Sequence, residues 1–544
     1  MKIYSGIIGI FICLACTLNI FSQGEIQKEV KVIKPYTPTL SEAGKVNLLP
    51  EFNDTIRVNP DYGYKIYPRR YETQFKIIPI KPAKIVALPL TKLYKSQLTL
   101  GVGNYATLFA DLNINELRSK TTAIGFNLRH LSSSGKIKLE NGNKVDSDFS
   151  DNIAGIYGKK MFNKSVLEGG ISGGYNTILF YGYNPTIDTI LLRQKIKQKI
   201  SSAGANIRYY SSHPDSTHFN YDFGLNYDFT VDGFKNKESG FDFNSRFSNP
   251  IGDAFIGGDL RLRSYQFSGD LDTSSNFIVN INPFYSKKTS DWKFLVGLNT
   301  SFDSEGINLY PRAEFEFDIV KNVLLPYFGV GGYSMVNNFR KIIFENQYII
   351  PGLRVKNTDY TLIGFAGLKG GYSSKMSYNL KGSYSRIDNM YFYVNSSDTL
   401  GNQFDVVYDG IGLMTFNGEV TWHKSDKLNL ILKTNLYKYT LDALEKPWHR
   451  PLFELALGAG YNLRDKILFN GNLFFTGKRF ARGTGTEIVE LNPYLDANMA
   501  FEYRYTKILS FFVRFNNLSA SKYQIWNQYP VQRFQILGGF SYSL

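Results

Sequence analysis

The chain closes on Gln535-Ile-Leu-Gly-Gly-Phe-Ser-Tyr-Ser-Leu544, in which Phe540, Tyr542 and Leu544 share one face and Gly539, Ser541 and Ser543 share the other. A period of two carried to an apolar last residue is what the final strand of a transmembrane barrel needs. That strand pairs with the first and turns its outer face to lipid. Further back, Leu495, Ala497, Met499, Phe501, Tyr503 and Tyr505 alternate with Tyr494, Asp496, Asn498, Ala500, Glu502 and Arg504. The same dichotomy runs from Leu309 to Ile319, where Ala313, Phe315 and Phe317 oppose Arg312, Glu314, Glu316 and Asp318. It recurs at Leu428, Leu430, Leu432 and Leu436 against Asn429, Lys433 and Asn435. These segments run to about 10 residues or more, the length a tilted strand needs to cross a bilayer.

Composition fits that reading. Aromatic residues make up 15% of the chain, with 38 Tyr and 42 Phe, and barrels place aromatic girdles at both membrane interfaces. Mean hydropathy is ordinary at -0.22 because lumen-facing residues offset lipid-facing ones. No apolar run is long enough for a membrane-spanning helix. The formal charge of +15 is scattered rather than gathered on one patch, so it points to anionic lipid or an acidic partner and not to nucleic acid.

Residues 1–22 read as a signal peptide: Lys2, an apolar run from Ile7 to Leu18, and a cleavage point at Ser22 before Gln23. Cys13 and Cys16 both lie in this segment, so the mature chain has no thiol for disulfides, nucleophilic catalysis or metal ligation. Residues 23–94 hold 8 of the 19 prolines, a density that breaks helices and central strands. This segment is expected to be an extended periplasmic or lumenal arm. From residue 95 to 544 alternating segments follow one another, about 22 of them at roughly 20 residues per strand and connection. Short connections are expected at 162–164, 213–215, 373–375, 425–426, 464–465 and 506–507. Long ones are expected at 133–147, 183–197, 336–358, 388–404, 440–450 and 478–489. Short periplasmic turns, long external loops and an even strand count with both barrel termini in the periplasm define an all-β, antiparallel outer-membrane barrel.

The stretch YLDANMAFEYRYTKILSFFVRFNNLSASKYQIWNQYPVQRFQILGGFSYSL, residues 494–544, resembles the closing strands of TonB-dependent-receptor-type barrels of Bacteroidota. The likeness lies in Asn516-Asn517-Leu518, in Lys522-Tyr523 and in the terminal Gly-Gly-Phe-x-Tyr pattern; it implies about 22 strands. Glu29-Val30-Lys31-Val32-Ile33 resembles the short box with which such receptors contact their energising protein. Where those receptors carry a globular plug, this chain has about 70 proline-rich residues. A wide lumen without a plug must still be filled, by the arm, by long loops dropping in, or by other subunits.

Sites of chemistry are sparse. His130, His213, His218, His423 and His449 do not converge as metal ligands do and read as solvated polar groups. No phosphate loop, G-x-S-x-G elbow or H-E-x-x-H motif is present, so no catalytic, cofactor or metal site is expected, although residues from distant strands can still assemble a hydrolase. Asp259, Arg261, Arg263, Arg312, Glu314, Glu316, Glu502 and Arg504 are candidate lumen-lining charges. They either set charge selectivity or pair across strands. Gly539, Tyr542 and Leu544 are the candidate barrel-closing signal for the assembly machinery. Asp54-Thr55-Ile56, Asp188-Thr189-Ile190 and Asp398-Thr399-Leu400 resemble the O-glycosylation triplets of Bacteroidota. The leading functional expectation is a non-enzymatic subunit or scaffold of an envelope assembly or export machine, with protein partners, as the similar accessory barrels of the Bacteroidota outer-membrane assembly complex imply. The alternatives are receptor-like or porin-like transport of a nutrient and, third, a barrel-embedded hydrolase.

Overall fold

In a computed structural model, the residues described are 94–116, 119, 121–139, 142–183, 197–212, 218–269, 273–397 and 401–544. The signal-peptide and arm expectations, the box at Glu29–Ile33, the three Asp-Thr triplets and His213 lie outside them. Twenty-two strands form one closed antiparallel sheet. Each pairs with its neighbours in sequence, and Ser96–Gly103 closes the ring against Gln535–Ser543 with Leu98 opposite Tyr542, Leu100 opposite Phe540 and Gly101 opposite Gly539. Backbone bonds from Ser96 N to Leu544 O (3.0 Å) and from Leu544 N to Ser96 O (2.8 Å) finish the seam.

Glycine is required there. A Cβ on Gly539 would sit 2.0 Å from the Leu100 carbonyl oxygen and 2.7 Å from the Phe512 ring. The two facing glycines thus let the strands approach over Phe512, which packs inside the wall with Phe109 and Leu537.

Along each strand one face is apolar and exposed. Val102, Ile171, Ile207, Phe277, Leu309 and Phe501 all stand outward, an arrangement that only hydrocarbon makes favourable. Stacked rings, such as Trp292, Phe294, Phe315 and Phe328, mark the short-turn end of this face and account for part of the aromatic content. The protein is an outer-membrane β-barrel, and by the rule of short periplasmic turns the long-loop end is extracellular.

The connections alternate as the sequence implies, with differences at the long-loop end. The expected loop 388–404 is mostly strand: Met376–Asn395 and Phe404–Ser425 stay paired through a bulge between Ile387 and Met390 and rise beyond the belt. Their extension survives because Phe392 and Val394 are buried against Trp448. The loop 336–357 carries a helix, α1 (Phe339–Glu345), that no sequence signal announces.

The wall is also interrupted. Between Thr273–Lys288 and Trp292–Asp303, pairing stops after Val279–Phe302 and resumes at Phe284–Gly297. Pro283 has no N–H to give, and side chains take over the missing bonds. Asn280 Nδ2 donates to Thr300 O (2.6 Å), Thr300 N to Asn282 Oδ1 (2.9 Å) and Ile281 N to Thr300 Oγ1 (2.9 Å).

Candidate functional site: a loop lid over a charge-paired lumen

Two features of the barrel interior carry functional meaning, the mouth and the wall beneath it. At the mouth the loop 517–534 reaches inward and its small hairpin, Gln524–Trp526 with Tyr529–Pro530, becomes the hub of an apolar core. Asn517, left-handed at φ 48°, holds the base of the loop through bonds from its Nδ2 to Ser521 O (2.9 Å) and Gln532 O (3.2 Å). Tyr529 stacks on Tyr348 at 3.7 Å between ring centroids, meets Tyr181 edge-on at 5.0 Å, and donates its hydroxyl to Asn402 O. A side chain at Gly182 would strike the same ring, since its Cβ would lie 2.6 Å from it.

The hub is tied to loops from around the rim. Tyr181 donates to Pro530 O (3.0 Å), Lys522 to Leu139 O (3.3 Å), Gln532 to Ser133 Oγ (3.0 Å), Asn527 to Asn395 Oδ1 (2.9 Å), and Arg479 Nη1 to Ile525 O (2.7 Å). These partners come from widely separated strands, so the loops meet across the mouth and form a lid.

Helix α1 anchors the lid to the wall. Its first N–H groups have no partner within the helix, and Glu238, on the strand Lys237–Ile251 and 4% exposed, accepts from Phe339 N (2.7 Å) and Arg340 N (3.0 Å). Asn338 caps Lys341 N (2.9 Å), and Arg340 Nη1 reaches Thr230 Oγ1 (2.9 Å). Phe339, Ile342 and Ile343 then fill the apolar core beside Phe267 and Tyr391.

His449 differs from expectation: it is buried, at 7% exposure, rather than solvated. Its Nδ1–H donates to Tyr393 O (2.9 Å), Nε2 accepts from Asn527 N (3.3 Å), and its ring packs on Trp526. The neutral imidazole is therefore built into the lid. Burial, helped by Arg479 and Arg450, pushes its pKa down to about 3, and the bond to Tyr393 opposes the shift only in part. A released loop regains the ordinary value near 6.5. The contribution of His449 is complete above about pH 6.5 and is lost as the pH falls toward 3. We expect protease cleavage in the loop 442–452 to rise between about pH 6.5 and pH 4, and His449→Gln to remove that dependence. A flat cleavage profile for the unaltered protein would contradict this account of the lid.

Below the lid the lumen wall is polar, and many of its charges are paired. Asp259 accepts from Arg246 (2.5 Å), Arg261, two residues beyond Asp259, pairs with Asp242, and Glu316 pairs with Lys369 (2.8 Å). Arg312 lies 3.7 Å from Glu314, and Arg504 lies 3.5 Å from Glu502. The eight candidate lumen charges thus do not form one site. Asp259, Arg261 and Arg263 share a groove of about 560 Å³ that Arg312, Glu314 and Glu316 do not line, and Glu502 and Arg504 stand on a strand far round the ring. Arg208–Asp222 (2.6 Å) belongs to the same wall and carries no mark in sequence, because cross-strand partners depend on register. Exposed pairs of this kind contribute about 0–1 kcal/mol each. Their chief effect is to make the wall hydrophilic.

The closing-signal residues stand at the seam: Gly539 at the tight crossing, Tyr542 paired with Leu98 and Leu509, and Leu544 outward with 63% exposure. Among the described residues no group of three or more His, Cys, Asp or Glu is placed to hold a metal ion.

No protein-family model and no curated protein matches the sequence. Solved structures do match the fold. The siderophore receptor PirA from Acinetobacter baumannii superposes with a TM-score of 0.65 at 10% identity over 84% of this chain and 81% of that one. The FrpB iron transporter from Neisseria meningitidis gives 0.64 at 9% identity, over 84% and 83%, and the copper transporter OprC gives 0.60 at 12%, over 82% and 80%. At such identities the likeness is one of architecture. The chain has the 22-strand barrel of TonB-dependent receptors and stands in the outer membrane.

Proposed function

We propose that the protein is a non-enzymatic, receptor-type barrel that moves a solute through its lumen, with the loop lid as the external gate. The observation that carries this reading is the combination of a hydrophilic wall rich in ion pairs with a mouth across which the described loops pack together. A barrel that only fills space in a larger assembly has no need of a wettable interior. A passage does, and in a bilayer it also needs a gate. The likeness to siderophore and copper receptors supports the same reading.

The test is uptake of a panel of labelled small solutes by cells with and without the protein. At least one solute is expected to enter several-fold more slowly in its absence. The closed mouth favours a second reading, a scaffold subunit of an envelope assembly or export machine. Unchanged uptake of every solute, together with stoichiometric protein partners retained in mild detergent, would replace the first reading by the second.

A further inference from the structure

The groove in the wall contains one cation that the pairing leaves over. Arg208 takes Asp222, Arg246 takes Asp259 and Arg261 takes Asp242. Arg263 is 8% exposed; Asp242, its neighbour across the strand pair, attracts it but is held in contact by Arg261, and among the described residues no carboxylate lies within ion-pair distance of the Arg263 guanidinium. Its Nη2 donates to the neutral amide of Asn280 (2.6 Å), and its Nε has no partner. Burying a guanidinium against a neutral acceptor is unfavourable unless an anion completes it. Around it the groove offers Asn244, Asn282, Asn299, Thr300 and Ser334, and the buried Ser334 Oγ is likewise unpartnered.

The site exists because of the break in the wall. Where Pro283 interrupts the ladder, Asn280 and Asn282 turn toward Thr300, and a polar recess remains beside Arg263.

We infer that this recess is a binding site for an oxyanion, a carboxylate or phosphate group on a small hydroxylated solute. Arg263 receives the charge through its planar fork, and the amides and hydroxyls receive the neutral part. The inference deepens the transport reading and rests on it for its meaning, since it names the class of cargo.

Equilibrium dialysis of the full-length protein in detergent tests it, with labelled citrate and inorganic phosphate as probes and glucose as the neutral control. Saturable, salt-sensitive binding of citrate or phosphate is expected, with none for glucose. Arg263→Gln should weaken it at least tenfold while the barrel keeps its heat-modifiable mobility. Arg263→Lys, which retains charge without the fork, should fall between the two. Equal binding by the Arg263→Gln variant, or no saturable binding of either probe, would overturn the site. Anion binding by a protein whose loss changes no uptake would retain the site and remove the transport reading. Uptake without anion binding would do the reverse.

Discussion

Tyr542→Asp and Leu544→Asp are expected to lower the heat-modifiable, folded barrel in outer-membrane fractions severalfold, whereas Ser543→Asp leaves it nearly unchanged. Leu544 faces outward at the seam, and a charge there costs about 1 kcal/mol near the interface and more at depth. Ser543 lies on the opposite, lumenal face, next to Ser541, whose hydroxyl shares a 2.9 Å hydrogen bond with Thr99. Gly539→Ala should be at least as damaging. Its new methyl would meet the Leu100 carbonyl oxygen at 2.0 Å, and relief requires the first and last strands to separate where the ring closes. Overpacking of this kind costs typically about 1–3 kcal/mol. Here it also opposes the step that completes the barrel, so yield should fall further than that energy alone implies. Equal yields for Tyr542→Asp and Ser543→Asp would mean that the inward and outward faces of this strand are assigned the wrong way round.

Tyr529→Ala should release the lid. The change removes a ring stacked at 3.7 Å on Tyr348, its edge contact with Tyr181, and the hydroxyl that serves Asn402. Deleting a buried aromatic side chain costs about 3–5 kcal/mol, and here the loss falls on loops rather than on the ladder of the barrel. Glu238→Ala acts at the other anchor: two N–H groups at the start of α1 lose their acceptor, at about 1–3 kcal/mol for a buried donor left unmade. Both variants should assemble normally. Both should make whole cells several-fold more sensitive to large antibiotics, and both should expose residues 336–357 to added protease. Unaltered protease resistance in the pair would mean that these contacts do not hold the loops in place.

The strand architecture is legible in the sequence because it depends on local alternation. Leu495 through Tyr505 and Leu309 through Ile319 show their lipid face without knowledge of any partner. The strand count and the alternation of short and long connections follow from the same signal. Partners are another matter. Asp259 finds Arg246, and Arg261 finds Asp242, only once the register between Lys237–Ile251 and Ala254–Ser268 is fixed, and register is a non-local property. The lid is hidden for a related reason. Phe339-Arg-Lys-Ile-Ile-Phe-Glu345 is too short to announce a helix, and its stability comes from Glu238, about a hundred positions earlier. His449 looks like any loop histidine in sequence. Its burial is produced by Tyr393 and Phe404, which flank one connection, and by Trp526, which a second one brings to them. Asn517 lies between these cases: Asn516-Asn517-Leu518 carries the resemblance at the level of sequence, and the left-handed turn it makes is what sends the hub loop inward.

The central claim is that loops, gathered on Tyr529 and anchored at Glu238, close a wide and wettable barrel. Conductance in planar bilayers tests it most directly, with the intact protein compared with a variant in which residues 336–357 are replaced by a short linker. The account predicts that the intact protein is silent and that the shortened protein opens stable channels of large conductance. Steady conduction by the intact protein, or silence of both, would contradict it.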